Sequence, residues 1–321
     1  MPHNSTALAT GLMMTTAALG ADIGVPVDAP SIQAAINMAV DGDRVLVGPG
    51  VWNEWLDYRG RTITVESTHG PSATTIDATG FPCAIQIATG EGDATTLRGF
   101  TITGGNGGLE IEGVNCGGGL FIKQTNPTID NCIITNNTAQ IGGGVSIFEA
   151  DPTFSSVVVM GNTAELDGGG FRIHRYSHPT MTGCTITDNH CGVYGGGIAY
   201  GNDSNGYNYN CEISANTAGI RGGGIAKACD CSNSSLQGSD MCNNVPDHIL
   251  GTWNDLGGND LCPVCSSDVT ADGQVNVDDI LAIVAAWGGC VCIEDINGDS
   301  TVGTDDLLLV LADWGQCEVD G

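Results

Sequence analysis

Basic residues are scarce in this chain of 321 residues, which has 9 Lys and Arg against 37 Asp and Glu and a formal net charge of −28. Only two lysines occur, Lys123 and Lys227, and neither Lys nor Arg follows Lys227. Phosphate binding needs clustered basic side chains, so the composition argues against nucleic acid as a partner. The purely acidic remainder is typical of cation binding or of a solubilising tail.

Aromatic residues make up only 5% of the chain, whereas glycine reaches 49 residues, which favours tight turns and thin strands over a large globular core. Residues 7–21 form an apolar run that ends in small residues and is typical of a signal peptide. The first six residues lack Lys and Arg, so a disordered start is the alternative. We expect a signal peptide over residues 1–21 and a secreted or cell-surface protein, in agreement with the 14 cysteines. No later run is long enough to be a transmembrane segment.

A glycine triplet recurs through the middle of the chain, in steps of 25, 26, 27 and 27 residues. The triplets begin at Gly117, Gly142, Gly168, Gly195 and Gly222. A short β-branched strand and an Asn turn precede most of them. Strands this short cannot bury a face alone, but copies stacked about 4.8 Å apart build parallel sheets around a continuous core. The repeat predicts an all-β parallel β-helix solenoid over residues 22–261.

Equivalent positions in successive repeats predict which side chains face the interior. One inward column holds Leu120, Val145, Phe171, Ile198 and Ile225. A second column holds Phe100, Cys132, Val157, Cys184 and Cys211. We interpret its thiols as core filling, because metal ligands would converge rather than stack. Turn positions suited to a left-handed backbone, and to bonding between copies, hold Asn137, Asn162, Asn189 and Asn216.

A helical cap is predicted at the start of the solenoid, in APSIQAAINMAVDGDRVLVGPGVW. Ser31 caps the helix, and RVLVGPG begins the first strand. This segment resembles the N-terminal cap of right-handed parallel β-helix proteins of the pectate-lyase-like superfamily. The repeats also resemble those of surface-displayed bacterial β-helix proteins, including polymorphic outer-membrane proteins. The resemblance implies a right-handed pectin-lyase fold and an extracellular polysaccharide as partner, but it does not define a reaction.

A second repeat, with a period of 27 residues, occupies residues 262–321. CSSDVTADGQVNVDDILAIVAAWGGC runs from Cys265 to Cys290, and CIEDINGDSTVGTDDLLLVLADWGQC runs from Cys292 to Cys317. A twelve-residue calcium loop takes oxygen ligands at positions 1, 3, 5 and 12 and a carbonyl at 7. The first loop offers Asp268, Thr270, Asp272, the Gln274 carbonyl and Asp279. The second offers Asp295, Asn297, Asp299, the Thr301 carbonyl and Asp306.

This doubled loop and helix resembles a type I dockerin, a small α-helical domain with paired EF-hand-type calcium loops. The resemblance implies two bound calcium ions and docking onto a cohesin-type scaffold or surface protein. Two features depart from the usual form and leave the partner open, namely the Cys brackets and the pairs at Val277-Asp278 and Thr304-Asp305. Ser300 replaces the turn glycine Gly273 of the first loop, so we expect weaker binding by the second loop. We also expect disulfides Cys265–Cys290 and Cys292–Cys317.

One dense group of basic and aromatic residues, FRIHRYSH at 171–178, stands on the predicted coils. Strand alternation directs Arg172 and His174 outward and Phe171 and Ile173 inward. Candidate carbohydrate-binding residues across three coils are Phe148, Glu149, Arg172, His174, Arg175 and Tyr200. The alternative is an ordinary solvated face.

Two functions remain open from the sequence. The β-helix binds or processes polysaccharide while the tail docks it to a partner, or it is a non-catalytic surface or adhesion protein with an anchoring tail. An enzyme of this kind would be a polysaccharide lyase or a glycoside hydrolase, but no catalytic motif of either class occurs in the coils, and the catalytic residues are unknown.

Overall fold

The computed structural model describes residues 20–107, 109–111, 113–227, 234–261, 267–270, 274–289, 294–297 and 301–316. The predicted signal peptide lies almost wholly outside these ranges, as do Asp272, Asp299 and the two predicted disulfides of the tail. Among the described residues, no helix is both long and apolar enough to cross a bilayer.

Short strands stack into three long parallel sheets over the described part of residues 22–261. Sheet 1 contains Asp22–Val25, Arg44–Val47, Thr64–Ser67, Thr96–Arg98, Thr128–Asp130, Thr153–Ser155, Thr180–Thr182, Tyr207–Tyr209, Ser234–Gln237 and Trp253–Asp255. Sheet 2 contains Gly50–Trp52, Thr74–Asp77, Thr101–Thr103, Ile133–Thr135, Val158–Met160, Thr185–Thr187, Glu212–Ser214, Asp240–Cys242 and Asp260–Leu261. Sheet 3 contains Leu56–Asp57, Ile85–Ile87, Leu120–Lys123, Val145–Phe148, Phe171–His174, Ile198–Gly201, Ile225–Lys227 and Ile249–Leu250.

Two smaller elements complete the coils that are described. A fourth parallel sheet, which precedes the glycine triplets, contains Thr138–Ala139, Thr163–Ala164, His190–Cys191 and Thr217–Ala218. An antiparallel hairpin joins Leu109–Ile111 to Val114–Cys116. Each regular coil therefore visits sheet 1, sheet 2, the fourth sheet, a glycine triplet and sheet 3 in turn. This arrangement confirms the predicted parallel β-helix.

The predicted interior columns are correct. Leu120, Val145, Phe171, Ile198 and Ile225 pair in register along sheet 3, and all are fully buried. The column from Phe100 to Cys211 is buried as well and belongs to the same hydrophobic core. Burying each large aliphatic side chain contributes about 1.5–3 kcal/mol, so stacking stabilises strands that are too short to be stable alone.

A ladder of buried asparagines follows sheet 2 through the coils. Each asparagine donates its backbone and side-chain amides to the side-chain oxygen of the next one along the solenoid. The series is Asn137, Asn162, Asn189, Asn216 and Asn244. The expected bonding between copies is therefore confirmed. The left-handed residue is instead the one before each ladder position, as at Asn136 (φ 54°) and Asp188 (φ 53°). The side chain of each ladder asparagine points inward, where its amide group forms hydrogen bonds with the neighbouring coils.

The cap contains the predicted helix α1, Ile32–Met38, whose N-cap is Ser31. The Ser31 hydroxyl accepts a hydrogen bond from the Ala34 amide at 3.2 Å. One expectation is wrong, because the first strand is Asp22–Val25 and precedes the helix. It pairs in parallel with Arg44–Val47, so the solenoid begins one strand earlier.

The described part of the tail holds helices α2, Val277–Ala285, and α3, Thr304–Ala312, with the strands Gln274–Val275 and Gly315–Gln316. Backbone pairing follows the 27-residue repeat, since Val275 pairs with Gly315 and Val302 with Gly288. A small core forms from Val269, Val275, Ile283, Val302 and Val310. The two repeats therefore pack as equivalent halves.

Candidate functional site

The strand Phe171–His174 places two polar side chains on the outer face of sheet 3. Phe171 and Ile173 are fully buried in the core, so Arg172 and His174 point the other way, as alternation predicts. Outward does not mean exposed here, because Arg172 retains only 8% of its accessible surface. The candidate site is therefore a buried charge beneath the surface of the coil rather than an open strip.

Gly201 makes room for the Arg172 guanidinium on the next strand. A Cβ atom built at Gly201 would lie 2.8 Å from Nη2 and 2.9 Å from Nη1 of Arg172. Among the described residues, the guanidinium makes one hydrogen bond, from Nη1 to the Ala199 carbonyl at 3.4 Å, and Nε has no hydrogen-bond partner. Buried polar atoms without partners are uncommon, and in a charged group they favour an additional ligand.

Asp167, which precedes the Gly168 triplet, is the carboxylate whose charge attracts the Arg172 guanidinium. Burial lowers the pKa of Arg172, and attraction to Asp167 opposes this. Burial likewise raises the pKa of Asp167, while Arg172 and a 3.2 Å hydrogen bond from the Tyr194 amide oppose the rise. Sequence reasoning missed both Asp167 and Gly201. The available signal was the glycine that pairs in register with His174, two residues beyond Arg172 on the neighbouring strand.

His174 is uncharged near neutral pH. Burial, assisted by the charge on Arg172, lowers the pKa of His174 to about 4, and Nδ1 has no hydrogen-bond partner. Its ring packs edge-on against Phe148, with centroids 5.5 Å apart. Phe148 in turn lies 6.0 Å from Phe121, so three rings line the outer face of sheet 3. This surface combines a fixed cation, a neutral imidazole and aromatic walls.

Two of the predicted carbohydrate-binding residues do not form an exposed platform. Tyr200 pairs in register with Ile173 and is fully buried in the interior, where Asn208 donates to its hydroxyl at 3.4 Å. Because Ile198 faces inward, Tyr200, two residues later, must face inward as well. Phe148 lies on the outer face but keeps only 3% of its surface. The prediction of Tyr200 as a surface residue is wrong.

Glu149 and Arg175 form the rim of the site, in the turns that follow two sheet 3 strands. Both have left-handed backbones, at φ 49° and 57°. Arg175 Nη1 lies 3.8 Å from Glu149 Oε1, and Gln124 donates to Glu149 Oε2 at 2.6 Å. Tyr176, beside them, is 66% exposed. The rim therefore offers charged and aromatic groups to solvent next to the buried Arg172.

The tail holds the second candidate site, around two buried carboxylates. Asp279 Oδ1 accepts from the Thr270 amide at 3.0 Å and the Thr270 hydroxyl at 2.9 Å, and Oδ2 accepts from the Asn276 amide at 2.8 Å. Burial raises the pKa of Asp279, but these hydrogen bonds outweigh that effect and lower it. The carboxylate is thus held ionised.

The second loop repeats this geometry. Asp306 Oδ1 accepts from the Asn297 amide at 3.1 Å, and Oδ2 accepts from the Gly303 amide at 2.8 Å. Asp279 and Asp306 are both fully buried. The donor set is all oxygen and carries a fixed carboxylate at position 12, which fits a hard cation such as calcium. Within the described ranges no group of three or more acidic, His or Cys side chains converges, and each loop has its position 5 ligand outside those ranges.

Helices α2 and α3 present apolar side chains to solvent at equivalent positions. Ile283 and Val310 fill the small core. Large exposed side chains are Leu281, Val284 and Trp287 in the first repeat and Leu308, Leu311 and Trp314 in the second. Clusters of exposed apolar side chains are frequent at protein interaction surfaces.

The stacked coils define a parallel β-helix protein. The family model described as "Right handed beta helix region" matches residues 75–240, just over half of the chain, so the chain belongs to this family. The predicted right-handed β-helix is thereby confirmed. No curated protein matches the sequence.

Comparison with solved structures gives one alignment with a TM-score above 0.5 among the three described here. The crystal structure of pectate lyase Pel9A aligns with a TM-score of 0.54 at 14% identity, covering 75% of this chain and 67% of that chain. A pectin methylesterase in complex with hexasaccharide VII gives a TM-score of 0.40 at 12% identity, over 73% and 70% of the two chains. Pectin methylesterase PemA from Erwinia chrysanthemi gives 0.37 at 12% identity, over 73% and 80%. The likeness to pectate lyase Pel9A concerns the fold alone.

Proposed function

We propose that this is an exported protein whose β-helix binds or processes an acidic polysaccharide and whose tail binds calcium and docks to a partner. The observation that carries the first part is the buried guanidinium of Arg172, whose Nε has no hydrogen-bond partner among the described residues and whose charge is attracted by Asp167. A buried cation is costly unless an anion neutralises it. The planar guanidinium matches a carboxylate, and the carboxylates of polysaccharides belong to uronate residues.

The rim supports a sugar ligand over a small inorganic anion. Tyr176 offers an exposed ring, and Glu149 and Arg175 offer polar groups beside it. The neutral His174 provides a nitrogen that neither repels Arg172 nor needs a counter-ion. A polymer lying across the turns could place one carboxylate toward Arg172 while its ring hydroxyls contact the rim. The aromatic part of the site wall excludes water, and this exclusion strengthens the electrostatic contact.

Binding can be tested with polygalacturonate, alginate and a neutral glucan on the full-length protein by isothermal titration calorimetry. Arg172→Gln and His174→Ala together are expected to abolish binding to the uronate polymers. Arg98→Gln is the matched control, because Arg98 pairs with Asp130 on sheet 1, at 2.7 Å, away from the site. Unchanged uronate binding by the double variant, with the fold intact by circular dichroism, would refute the assignment.

Catalysis is a separate question for the same site. A lyase needs a base beside the uronate α-proton and a cation or Arg to neutralise the carboxylate. Arg172 meets the second need, and His174, uncharged near neutral pH, meets the first in chemical type. Unsaturated products measured by ultraviolet absorbance, together with reducing ends, separate lyase, hydrolase and pure binding. Product formation that survives His174→Ala would exclude His174 as the base.

For the tail, we propose one calcium ion in each loop. Asp279 and Asp306 would hold the ions together with the remaining oxygen ligands of each loop, and calcium would draw the loop closed against the start of α2 or α3. The matching hydrogen bonds at the two carboxylates support this proposal. Titration calorimetry with calcium is expected to show two sites, the weaker lost in Asp306→Ala and the tighter in Asp279→Ala. Heats identical to buffer in the full-length protein would reject both sites.

Docking through the exposed faces of α2 and α3 is supported by their large apolar side chains. A cohesin-type module is the partner to test first, with Leu281→Ser/Leu308→Ser as the variant and Val27→Ser, exposed on the cap, as the control. The alternative function is a non-catalytic surface or adhesion protein with the tail as an anchor. The regularity of the glycine coils favours it. Absence of both polysaccharide binding and product formation, with calcium binding intact, would decide for that alternative.

A further inference from the structure

Two thiols meet inside the solenoid, in a way that packing of the core does not require. Cys184 and Cys211 occupy the same position in successive coils, one residue before Thr185 and Glu212, which pair in register. The Glu212 amide donates to the Cys184 carbonyl at 2.9 Å, which fixes the two backbones side by side. Both side chains are buried and both thiols are reduced.

The spacing of neighbouring coils suits a covalent bond. Neighbouring parallel strands lie about 4.8 Å apart, and disulfides join Cα atoms separated by about 4.4–6.8 Å. The sulfur of Cys211 also approaches the neighbouring coil, since it lies 3.6 Å from the Met181 carbonyl oxygen. Interaction between the two thiols lowers the pKa of Cys184 and raises that of Cys211.

The same column contains a natural contrast. Cys132 has Val157 at the equivalent position of the next coil, so it faces no second thiol there. Burial raises the pKa of Cys132 to about 12, the opposite direction from Cys184. Cys191, in the fourth sheet, stacks between Ala164 and Ala218. Adjacency of two cysteines in register is thus specific to Cys184 and Cys211 among these positions.

We propose that Cys184 and Cys211 are a modification site, in which a low-molecular-weight disulfide oxidises them to a bond that joins two coils. The Cys184 thiolate attacks one sulfur of a dialkyl disulfide such as oxidised glutathione, forming a mixed disulfide and releasing one thiolate. The Cys211 thiolate then attacks the Cys184 sulfur and releases the second. Two protein thiols are oxidised and one small disulfide is reduced to two thiols. The bond would tie the coil of Arg172 to the coil of Gly201, on which the guanidinium rests.

Peptide mapping tests this directly. The reduced full-length protein is refolded in a buffer of oxidised and reduced glutathione, alkylated under denaturing conditions, and cut before aspartates. Cys184 then lies in peptide 167–187, Cys191 in 188–202 and Cys132 in 130–150, whereas Cys211 shares 203–229 with Cys229. The expected product is peptide 167–187 linked to 203–229. It should be present in Cys229→Ser and absent in Cys211→Ser and Cys184→Ser.

A thermal unfolding scan provides the second readout. The refolded wild type is expected to melt at a higher temperature than the reduced wild type. In Cys184→Ser, the contribution of the Cys184–Cys211 bond to that difference should be lost. Cys132 and Cys191 should be recovered in alkylated form, because they stay reduced during refolding. Cys191→Ser is the matched control and should behave as the wild type. Full alkylation of Cys184 and Cys211 in the folded, glutathione-treated protein would overturn the proposal. So would a linked peptide that persists in Cys211→Ser through Cys229.

Discussion

The coils and the C-terminal helices bury apolar side chains to very different extents. In the coils one continuous core runs from Ile23 to Met241. In the described part of the tail the core consists of five buried side chains, while eight large apolar side chains on or beside α2 and α3 remain exposed. Cores this small rarely sustain a fold without a metal, a disulfide or a partner. The comparison indicates that the coils are stable through stacking, and it predicts that a bound ion or partner would stabilise the tail.

A second contrast lies within the coils. The outer face of sheet 1 carries exposed or half-exposed polar groups such as Thr153 and Thr182, whereas on sheet 3 the outward positions of Phe121, Ser146 and Arg172 are buried. The segments that precede the glycine triplets contribute to this cover, since the Ser146 hydroxyl donates to the Ile141 carbonyl at 3.1 Å. Burial of an outer face is what turns an ordinary arginine into a candidate anion site.

Calcium removal is expected to have the largest effect on the difference in stability between the coils and the tail. With a chelator, the tail should lose its helical circular dichroism, because the carboxylates of Asp279 and Asp306 lose the ion that fixes each loop. The β-signal of the coils should persist. Thermal unfolding followed at both wavelengths, with calcium and with chelator, measures this. Helices that melt at the same temperature in both conditions would show that the tail is stable without the ion.

Asn189→Ala should destabilise the coils by about 3 kcal/mol, because it leaves several buried groups without partners at about 1–3 kcal/mol each. Asn189 Oδ1 accepts from the Asn162 amide at 3.1 Å and its side chain at 3.0 Å, and Asn189 Nδ2 donates to Val159 at 2.9 Å. Urea unfolding of the coils gives the free energy. Asn126→Ala, on an exposed turn, is the control and should cost little. Equal costs for the two variants would mean that the ladder contributes nothing particular to stability.

Gly201→Ala tests the space that holds Arg172. The new methyl group would displace the guanidinium and its bond to Ala199. We expect a loss of stability below about 1 kcal/mol, since the far end of a long side chain can move, but uronate binding at least about tenfold weaker, equivalent to about 1.4 kcal/mol. Calorimetry and urea unfolding measure the two effects, with Thr180→Ala on sheet 1 as control. Unchanged binding would mean that the position of the guanidinium is irrelevant to the ligand.

His174 is expected to give the folded protein a pH-dependent stability. Its pKa falls from 6.5 to about 4 on folding, so between these values the unfolded chain binds more protons than the folded chain. Stability should therefore decrease as the pH is lowered from about 6.5 toward 4, and His174→Gln should flatten that part of the profile. Urea unfolding of both proteins across this range measures it. Parallel profiles would show that His174 keeps an ordinary pKa in the folded protein.

The coil architecture could be predicted from the sequence because each repeat carries its own glycine triplet. The spacing of the triplets predicted the coils, and the columns through Phe171 and Cys184 predicted the interior. The inward position of Tyr200 was also readable, since it follows Ile198 by two residues. Burial of Arg172 was not, because it depends on segments that fold over sheet 3 from elsewhere in the coil. The strand Asp22–Val25 was missed because it only pairs once Arg44–Val47 is in place.

The claim that Arg172 recognises a carboxylate is tested most directly by one polymer in two chemical forms. Calorimetric titration of the full-length protein would compare polygalacturonate with the same polymer fully methyl-esterified, which removes the charge and keeps the sugar. The account predicts that the free acid binds at least about tenfold more tightly than the ester, and that Arg172→Gln binds both forms equally weakly. Equal affinity of the wild type for the two forms would contradict it.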